Sequence, residues 1–423
     1  MSGSPIRLPS GVRDFLPRAA SRRVSLAARI AGVFEAWGYA RIITPVFECA
    51  DVLERGLGHD ARAAAIRFVE PGTGEVVALR PDITAQVARL VATRLAEHEG
   101  PVRLCYEGAV YRLSGRLADE LGQREILQAG IELIEAAEPA GDAEALAVAA
   151  AALAAAELPE ARLDVGHVAP VRFVLEAITD EDARAALTQA LARKDRGRLR
   201  AVASSLPPAI APLAEALGGL WGPADATLAR ARTLAWPADV RAALDTLGAV
   251  LAAFAELADP PIPSLTIDLG DVRGFDYYTG VRFAGYVGGA PDAVLRGGRY
   301  DALIGRYGHP ARATGFALDV EALAQAQRIG DVAAPAKPPG IAVAGPAAAA
   351  VARSLRARGL RAVACASLPT ASWLASAGLD AAVATDTATL VRVDDSREQL
   401  ASPLQLDELV AAVPGKEARR CQS

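Results

Sequence analysis

The sequence predicts an α+β protein: an antiparallel sheet with flanking helices, a helical insertion, and a small α/β domain at the far end. Three observations lead there. Strand-like segments fall at 64–69, 76–79, 102–112, 127–134, 264–268, 281–286 and 293–295. Several are separated only by short turns, which favours antiparallel pairing over a doubly wound parallel sheet. From about 170 to 257 the pattern changes to Ala and Leu at helical spacing with many Arg and Asp, broken at Pro207, Pro208 and Pro223. Beyond a Pro/Gly/Ala linker at 330–340 (GDVAAPAKPPG) come the short apolar runs IAVAG, LRAVACAS, DAAVATD and TLVRVDD. Helical segments separate the first three, the rhythm of a small α/β domain. The expected boundaries are 1–169 and 259–328 for the two parts of the core, 170–258 for the helical insertion and 339–413 for the last domain.

Each element has a local reason. LPSGVRDFLP, with Ser10, Gly11 and two prolines, reads as a turn. In RRVSLAARIAGVFEAWGY the apolar residues recur at helical spacing, and the pattern stops at Gly38. ARIITPVFE reads as a strand, with Pro45 marking an edge or a kink because proline cannot donate to a ladder. The Ala-rich run at 143–156 ends at Glu157 and Pro159, short of the roughly 18 apolar residues that a membrane span needs.

Composition excludes some classes. At 423 residues the chain has room for two or three domains. Its net charge of −5 gives no general drive towards nucleic acid, although it leaves room for a local basic patch. Cys49, Cys105, Cys365 and Cys421 are widely spaced with no CxxC pair, so neither a metal site nor a disulfide framework is expected, and a reducing cytoplasm fits best. The four histidines form no HExxH, which argues against catalytic zinc. Arg7, Arg13 and Asp14 interrupt the N-terminus before any apolar stretch, so no secretory signal is expected.

The chemistry-bearing segments are ALRPDITAQVARL, VRLCYEGAVYR, REILQAGIELI, DVRGFDYYTG and LRGGRYDALIGRYG, in that order after GYARIITPVFE. In this order they resemble the catalytic core of class II histidyl-tRNA synthetases over roughly residues 8–325. RGFDYYTG and GGRYD are the most specific part, since they match that family's histidine-recognition signatures. LRPDIT and QAGIEL look more like a paralogous family, the regulatory subunits of ATP phosphoribosyltransferase. The resemblance implies a class II aminoacyl-tRNA synthetase-like sheet core. It also implies a short-form ATP phosphoribosyltransferase catalytic subunit as partner, histidine as effector, and a homodimer within a larger hetero-oligomer. No cofactor, membrane or tRNA partner is expected.

Histidine presents an ammonium, a carboxylate and an imidazole, so a selective site needs an acid, a cation and a fixed donor–acceptor set. By resemblance Asp82 and Thr84 hold the ammonium with help from Gln128; alternatively Asp82 is the cap of the following helix, and the two roles are compatible. Arg112 and Arg273 are the candidate cations for the carboxylate, because a guanidinium fork pairs both oxygens; the alternative is an ordinary surface arginine. Gln128, Gly130 and Glu132 alternate along a strand and share one face, with Glu132 facing an imidazole nitrogen and Gly130 leaving room for the ligand; the alternative is a solvated polar face. Tyr277, Tyr278 and Tyr300 are read as pocket tyrosines rather than core aromatics, with Tyr278 at the ring. Gly297, Gly298 and Arg299 read as a turn that shapes the pocket.

The nucleotide half departs from the synthetase pattern. Ser114 stands where a glutamate reads adenine, and Gly122 where an arginine meets phosphate, with Arg116 nearby at a different spacing. In GFALDVEAL, Ala322 replaces the arginine that stacks on adenine, and Asp319 adds a negative charge where a glycine is expected. The chain therefore reads as a non-catalytic regulatory subunit, with a divergent histidyl-tRNA synthetase as the alternative. The last domain faintly resembles an anticodon-binding domain. From Pro335 onward it carries 10 Lys and Arg against 8 Asp and Glu, too small an excess to predict RNA binding.

Overall fold

The structure is a computed structural model that describes residues 7–113, 123–158, 160–273, 277–330, 332 and 338–400. The chain divides into two compact units, up to Ala333 and from Ala334. The first begins with α1 (Pro17–Ala36), β1 (Ala40–Arg41), β2 (Phe47–Cys49), α2 (Ala50–Arg55), α3 (His59–Ala64), β3 (Arg67–Val69), β4 (Val76–Leu79) and α4 (Thr84–Arg94). Then come the long strands β5 (Val102–Tyr111) and β6 (Glu125–Ile134), followed by α5 (Ala140–Ala154) and β7 (Arg162–His167). The helical stretch holds α6 (Val168–Glu176), α7 (Glu181–Ala192), α8 (Arg196–Ala203), α9 (Ala211–Leu217), β8 (Trp221–Pro223), α10 (Ala224–Arg232) and α11 (Ala238–Leu257). The unit closes with β9 (Ser264–Asp268), β10 (Val281–Tyr286), β11 (Leu295–Arg299), a short 3-10 turn (Ile304–Tyr307), β12 (Ala313–Asp319) and α12 (Val320–Ile329).

Nine strands form one sheet in the order β1-β5-β6-β12-β11-β10-β7-β9-β8. Its centre, from β5 to β7, is antiparallel throughout, as the short connections between apolar runs predicted; β1–β5 and β7–β9 are parallel. A small sheet, β2-β4-β3, stands beside it. ARIITPVFE is a strand at both ends only, interrupted at 42–46 around Pro45. The helical stretch is part of the same unit: α11 packs on α5 and β7, and β8 extends the large sheet beside β9.

The Ala-rich run becomes α5, whose residues are buried on every side, including Ala143, Leu146, Ala149, Ala150 and Leu153. A helix apolar all round belongs inside a core or a membrane. Here it lies against α1, α11 and strands β6, β10, β11 and β12, and small side chains let these neighbours approach. Among the described residues no helix is long and apolar enough to cross a membrane. Helix α1 buries Leu26, Ile30 and Phe34 and stops where Gly38 takes φ +80°.

One local reading changes. Gly297, Gly298 and Arg299 are not a turn but the end of strand β11, paired to β10 and β12. The glycines serve close packing: a Cβ on Gly297 would lie 2.7 Å from Phe283 Cε2. Arg299 is sealed in the core, 1% exposed, against the fully buried Asp142 at 3.0 Å, with Glu138 and Asp301 beside it.

In the second unit, β13 (Gly340–Ala344), α13 (Ala348–Ala357), β14 (Arg361–Cys365), α14 (Ala371–Ala377), β15 (Ala381–Ala384), β16 (Thr389–Arg392) and β17 (Arg397–Gln399) follow one another. The sheet order is β14-β13-β15-β16-β17, with the first three parallel. The four apolar runs of the sequence are the four strands β13 to β16.

Candidate functional site

The site is assembled on the central antiparallel strands and the start of α4. Asp82 precedes α4, and its Oδ1 accepts from the Thr84 backbone N–H at 3.0 Å. This is an Asx turn leading into the helix rather than the expected cap, since Ile83 holds the N-cap position and no side chain caps it. Thr84 opens the helix and is buried. Gln128 and Glu132 project from one face of β6, as their alternation requires. Gln128 Oε1 accepts from the Ile83 N–H at 3.2 Å, which ties the strand to the helix start.

Glu132 is the centre. It is 1% exposed, with Oε1 accepting from Tyr106 Oη at 3.4 Å. Its Oε2 meets no hydrogen-bond partner, and neither does the hydroxyl of Tyr300, 2% exposed. Both atoms border the same small volume over Gly315: a Cβ there would lie 3.0 Å from Tyr300 Oη and would collide with Glu132 Oε2. Two buried polar atoms without partners converge on a glycine whose place no larger residue could take, which marks a candidate ligand site.

Burial pushes the Glu132 carboxyl well above the usual carboxylate range; its contact with Thr84 pulls it back, the charge of Asp82 adds to the rise, and Tyr106 pulls it back again. Among the described residues no Lys, Arg or His pairs with Asp82 or Glu132. Burial and the negative charges of Glu132 and Asp82 likewise push Tyr277 upward, and burial raises Tyr278. The rings of Tyr277 and Tyr278 stand edge to face at 5.2 Å, and Tyr277 lies 5.2 Å from Tyr300. The cluster is acidic and phenolic, and suits a ligand that brings N–H donors and positive charge.

Of the residues picked from sequence, Asp82, Thr84, Gln128, Glu132, Tyr277, Tyr278 and Tyr300 come together. Arg112 sits beside them, its Nε donating to the Pro81 carbonyl at 2.8 Å. Arg273 is held elsewhere. It is about half exposed, and its guanidinium binds Asp271 at 2.9 Å and the Tyr286 hydroxyl at 2.9 Å, with Asp292 at 3.8 Å. Burial opposes the charge on Arg273, but Asp271 and Tyr286 outweigh it and hold its pKa above the ordinary value.

Sequence reasoning missed Tyr106 and Gly315. Tyr106 lies opposite Gly130 across β5 and β6, and a Cβ on Gly130 would lie 2.6 Å from its hydroxyl. The room at Gly130 is therefore filled by Tyr106, not left for a ligand. The available signal was the glycine itself, which asks for a large neighbour on the facing strand.

The histidyl-tRNA synthetase family profile matches residues 11–323. The chain belongs to the histidyl-tRNA synthetase family. Among its relatives, the protein named ATP phosphoribosyltransferase regulatory subunit in Anaeromyxobacter sp. is 45% identical over 325 residues, covering 76% of this chain and 93% of that one. The like-named protein of Geobacter sulfurreducens is 42% identical over 328 residues, covering 75% and 72%. A solved structure from Bacillus halodurans, described as an ATP phosphoribosyltransferase regulatory subunit/histidyl-tRNA synthetase, superposes with a TM-score of 0.77 at 26% identity, covering 90% of this chain and 99% of that one. Histidyl-tRNA synthetase from Nostoc sp. shares the fold, with a TM-score of 0.78 at 19% identity over 97% of this chain and 100% of that one.

Within this class II synthetase-like fold the nucleotide half can be followed in part. Ser114, Arg116 and Gly122 lie outside the described residues. Ala322 is in α12, packed against the main core. Asp319 caps that helix, accepting from the Ala322 N–H at 2.9 Å, so its carboxylate serves the backbone. Glu321, beside Ala322, is buried and paired with Arg13 and Arg23.

Proposed function

We propose that this chain is a non-catalytic regulatory subunit of ATP phosphoribosyltransferase, which starts histidine biosynthesis. It would be required by a short catalytic subunit and would sense histidine for feedback. One observation carries the reading: Glu132 Oε2 and Tyr300 Oη are buried side by side without hydrogen-bond partners in an acidic cluster, while the position expected to hold an adenine-stacking arginine is Ala322, packed against the core. The residues expected for the amino-acid half of a synthetase site gather there, and position 322 offers no cation for the nucleotide half. The names of the relatives at 42% and 45% identity agree with it.

Histidine would place its ammonium by Asp82 and Thr84 with help from Gln128, its ring against Glu132 and the tyrosines, and its carboxylate towards Arg112. Arg273 joins only by exchanging Asp292 and Tyr286 for the ligand. Control of a partner then requires histidine to bind two states of the complex with unequal affinity; typical couplings are about 1–3 kcal/mol. An exposed apolar face supports the expected homodimer: Ile43 is 89% exposed, and Phe47 and Phe68 stack edge to face beside Val69.

The second reading is a divergent histidyl-tRNA synthetase, favoured by the synthetase structures that share the fold. Histidine-dependent exchange between ATP and pyrophosphate separates the two. Exchange at background level is expected; robust exchange would overturn the regulatory reading.

A further inference from the structure

Tyr106 is the buried polar residue at the site to which no role has been assigned. Its phenol is 3% exposed and touches two ligand-facing residues at once: Glu132 Oε1 at 3.4 Å and Thr84 Oγ1 at 3.4 Å. Both contacts are long for hydroxyl bonds, which usually run about 2.5–3.0 Å, as in sites that tighten on their ligand.

A hydroxyl carries one proton. Glu132 Oε1 accepts that of Tyr106. Thr84 then does not receive the phenol proton, and its own is directed at Tyr106 or at Glu132, which it also contacts. Both hydroxyl protons therefore run towards Glu132, that of Tyr106 directly and that of Thr84 directly or through the phenol. Two things follow for the pocket. Thr84 has spent its proton, so towards a ligand it shows only lone pairs. Glu132 is held through Oε1, so Oε2 is the oxygen left without a partner, packed against Gly315.

We propose that Tyr106 is a positioning residue that sets the hydrogen-bond polarity of the site, making Thr84 and Glu132 acceptors that select a ligand with N–H donors at both its amine and its ring. Gly130 is part of the device, because any side chain there would displace the phenol. The contacts with Thr84 and Tyr106 also work against the burial that drives Glu132 towards its neutral form.

This inference rests on the reading of the site as a histidine pocket, and the test keeps the two apart. Calorimetry on the full-length chain measures histidine and β-(2-thienyl)alanine, a similar five-membered ring with no N–H. The variants are Tyr106→Phe, Glu132→Gln and the pair. Tyr106→Phe keeps the ring in its place, and a thermal melt checks the fold. We expect histidine affinity to fall roughly tenfold in Tyr106→Phe, and affinity for the thienyl analogue, which shares only the amine, to fall clearly less. In the Glu132→Gln background the same change should cost little, because the pinned carboxylate is already gone. Equal losses for the two ligands, or full additivity in the cycle, would show a purely structural tyrosine and overturn the proposal. Wild-type protein that fails to bind histidine removes the pocket reading itself, and the proposal with it.

Discussion

Gly315 and Glu132 face each other across β12 and β6, and the volume that a side chain at 315 would fill is where Glu132 Oε2 lies. The glycine belongs to a sequence segment associated with the nucleotide half, yet its contact is with the amino-acid half. Gly315→Ala should reduce histidine affinity by at least about tenfold, with a stability loss of about 1–3 kcal/mol from overpacking. Calorimetry and a thermal melt read both; unchanged affinity in a folded variant would contradict this geometry.

Glu132 makes the empty site a cost to the fold. Burial raises its pKa above the ordinary value of 4.5, so the folded chain holds that proton more tightly than the unfolded one. The stability associated with that proton is complete below about 4.5 and is lost as pH rises towards the raised folded value. Glu132→Gln should therefore stabilise the empty protein at neutral pH by about 1–3 kcal/mol while weakening histidine binding. The advantage in melting temperature should shrink near pH 4.5. A variant less stable than wild type at neutral pH would show that the contacts with Tyr106 and Thr84 outweigh the cost of burying the carboxylate.

How much of this could be read beforehand varied with the physics involved. Strands at 76–79, 264–268 and 281–286 were legible to the residue, because short runs rich in apolar and β-branched residues lie there between clear breaks. The GGR end of β11 was not, because glycine carries little strand preference and its place is decided by packing against Phe283. Tyr106 was hidden for a different reason: only the register of β5 on β6 puts it opposite Gly130 and beside Glu132. Arg273 was picked from its motif, but its present partners include Tyr286 and Asp292, which no local pattern connects to it.

Arg299 and Asp142 test the core rather than the ligand. Burial pushes Asp142 up to about 6 even against Arg299, while Asp142 and Asp301 hold the arginine charged. Removing one member strands the other, so Arg299→Met should cost about 3–5 kcal/mol in chemical denaturation. A loss under about 1 kcal/mol would mean that the pair is hydrated and loosely held.

Arg273 tests the carboxylate assignment. Arg273→Ala should weaken histidine at least about tenfold and leave histamine, which lacks the carboxylate, unaffected. Asp271 keeps the buried Arg282 as its partner in that variant, so the fold should hold. Equal effects on both ligands would place Arg273 outside the site.

The central claim is that this chain serves a catalytic partner and reports histidine to it. The most direct measurement is the rate at which a short-form ATP phosphoribosyltransferase subunit joins ATP to phosphoribosyl pyrophosphate, alone and with this chain, across a histidine titration. The account predicts little activity from the short subunit alone, a large increase when the chain is added, and suppression of that increase by histidine but not by histamine. A rate that the chain leaves unchanged, or an increase that histidine does not suppress, would contradict it.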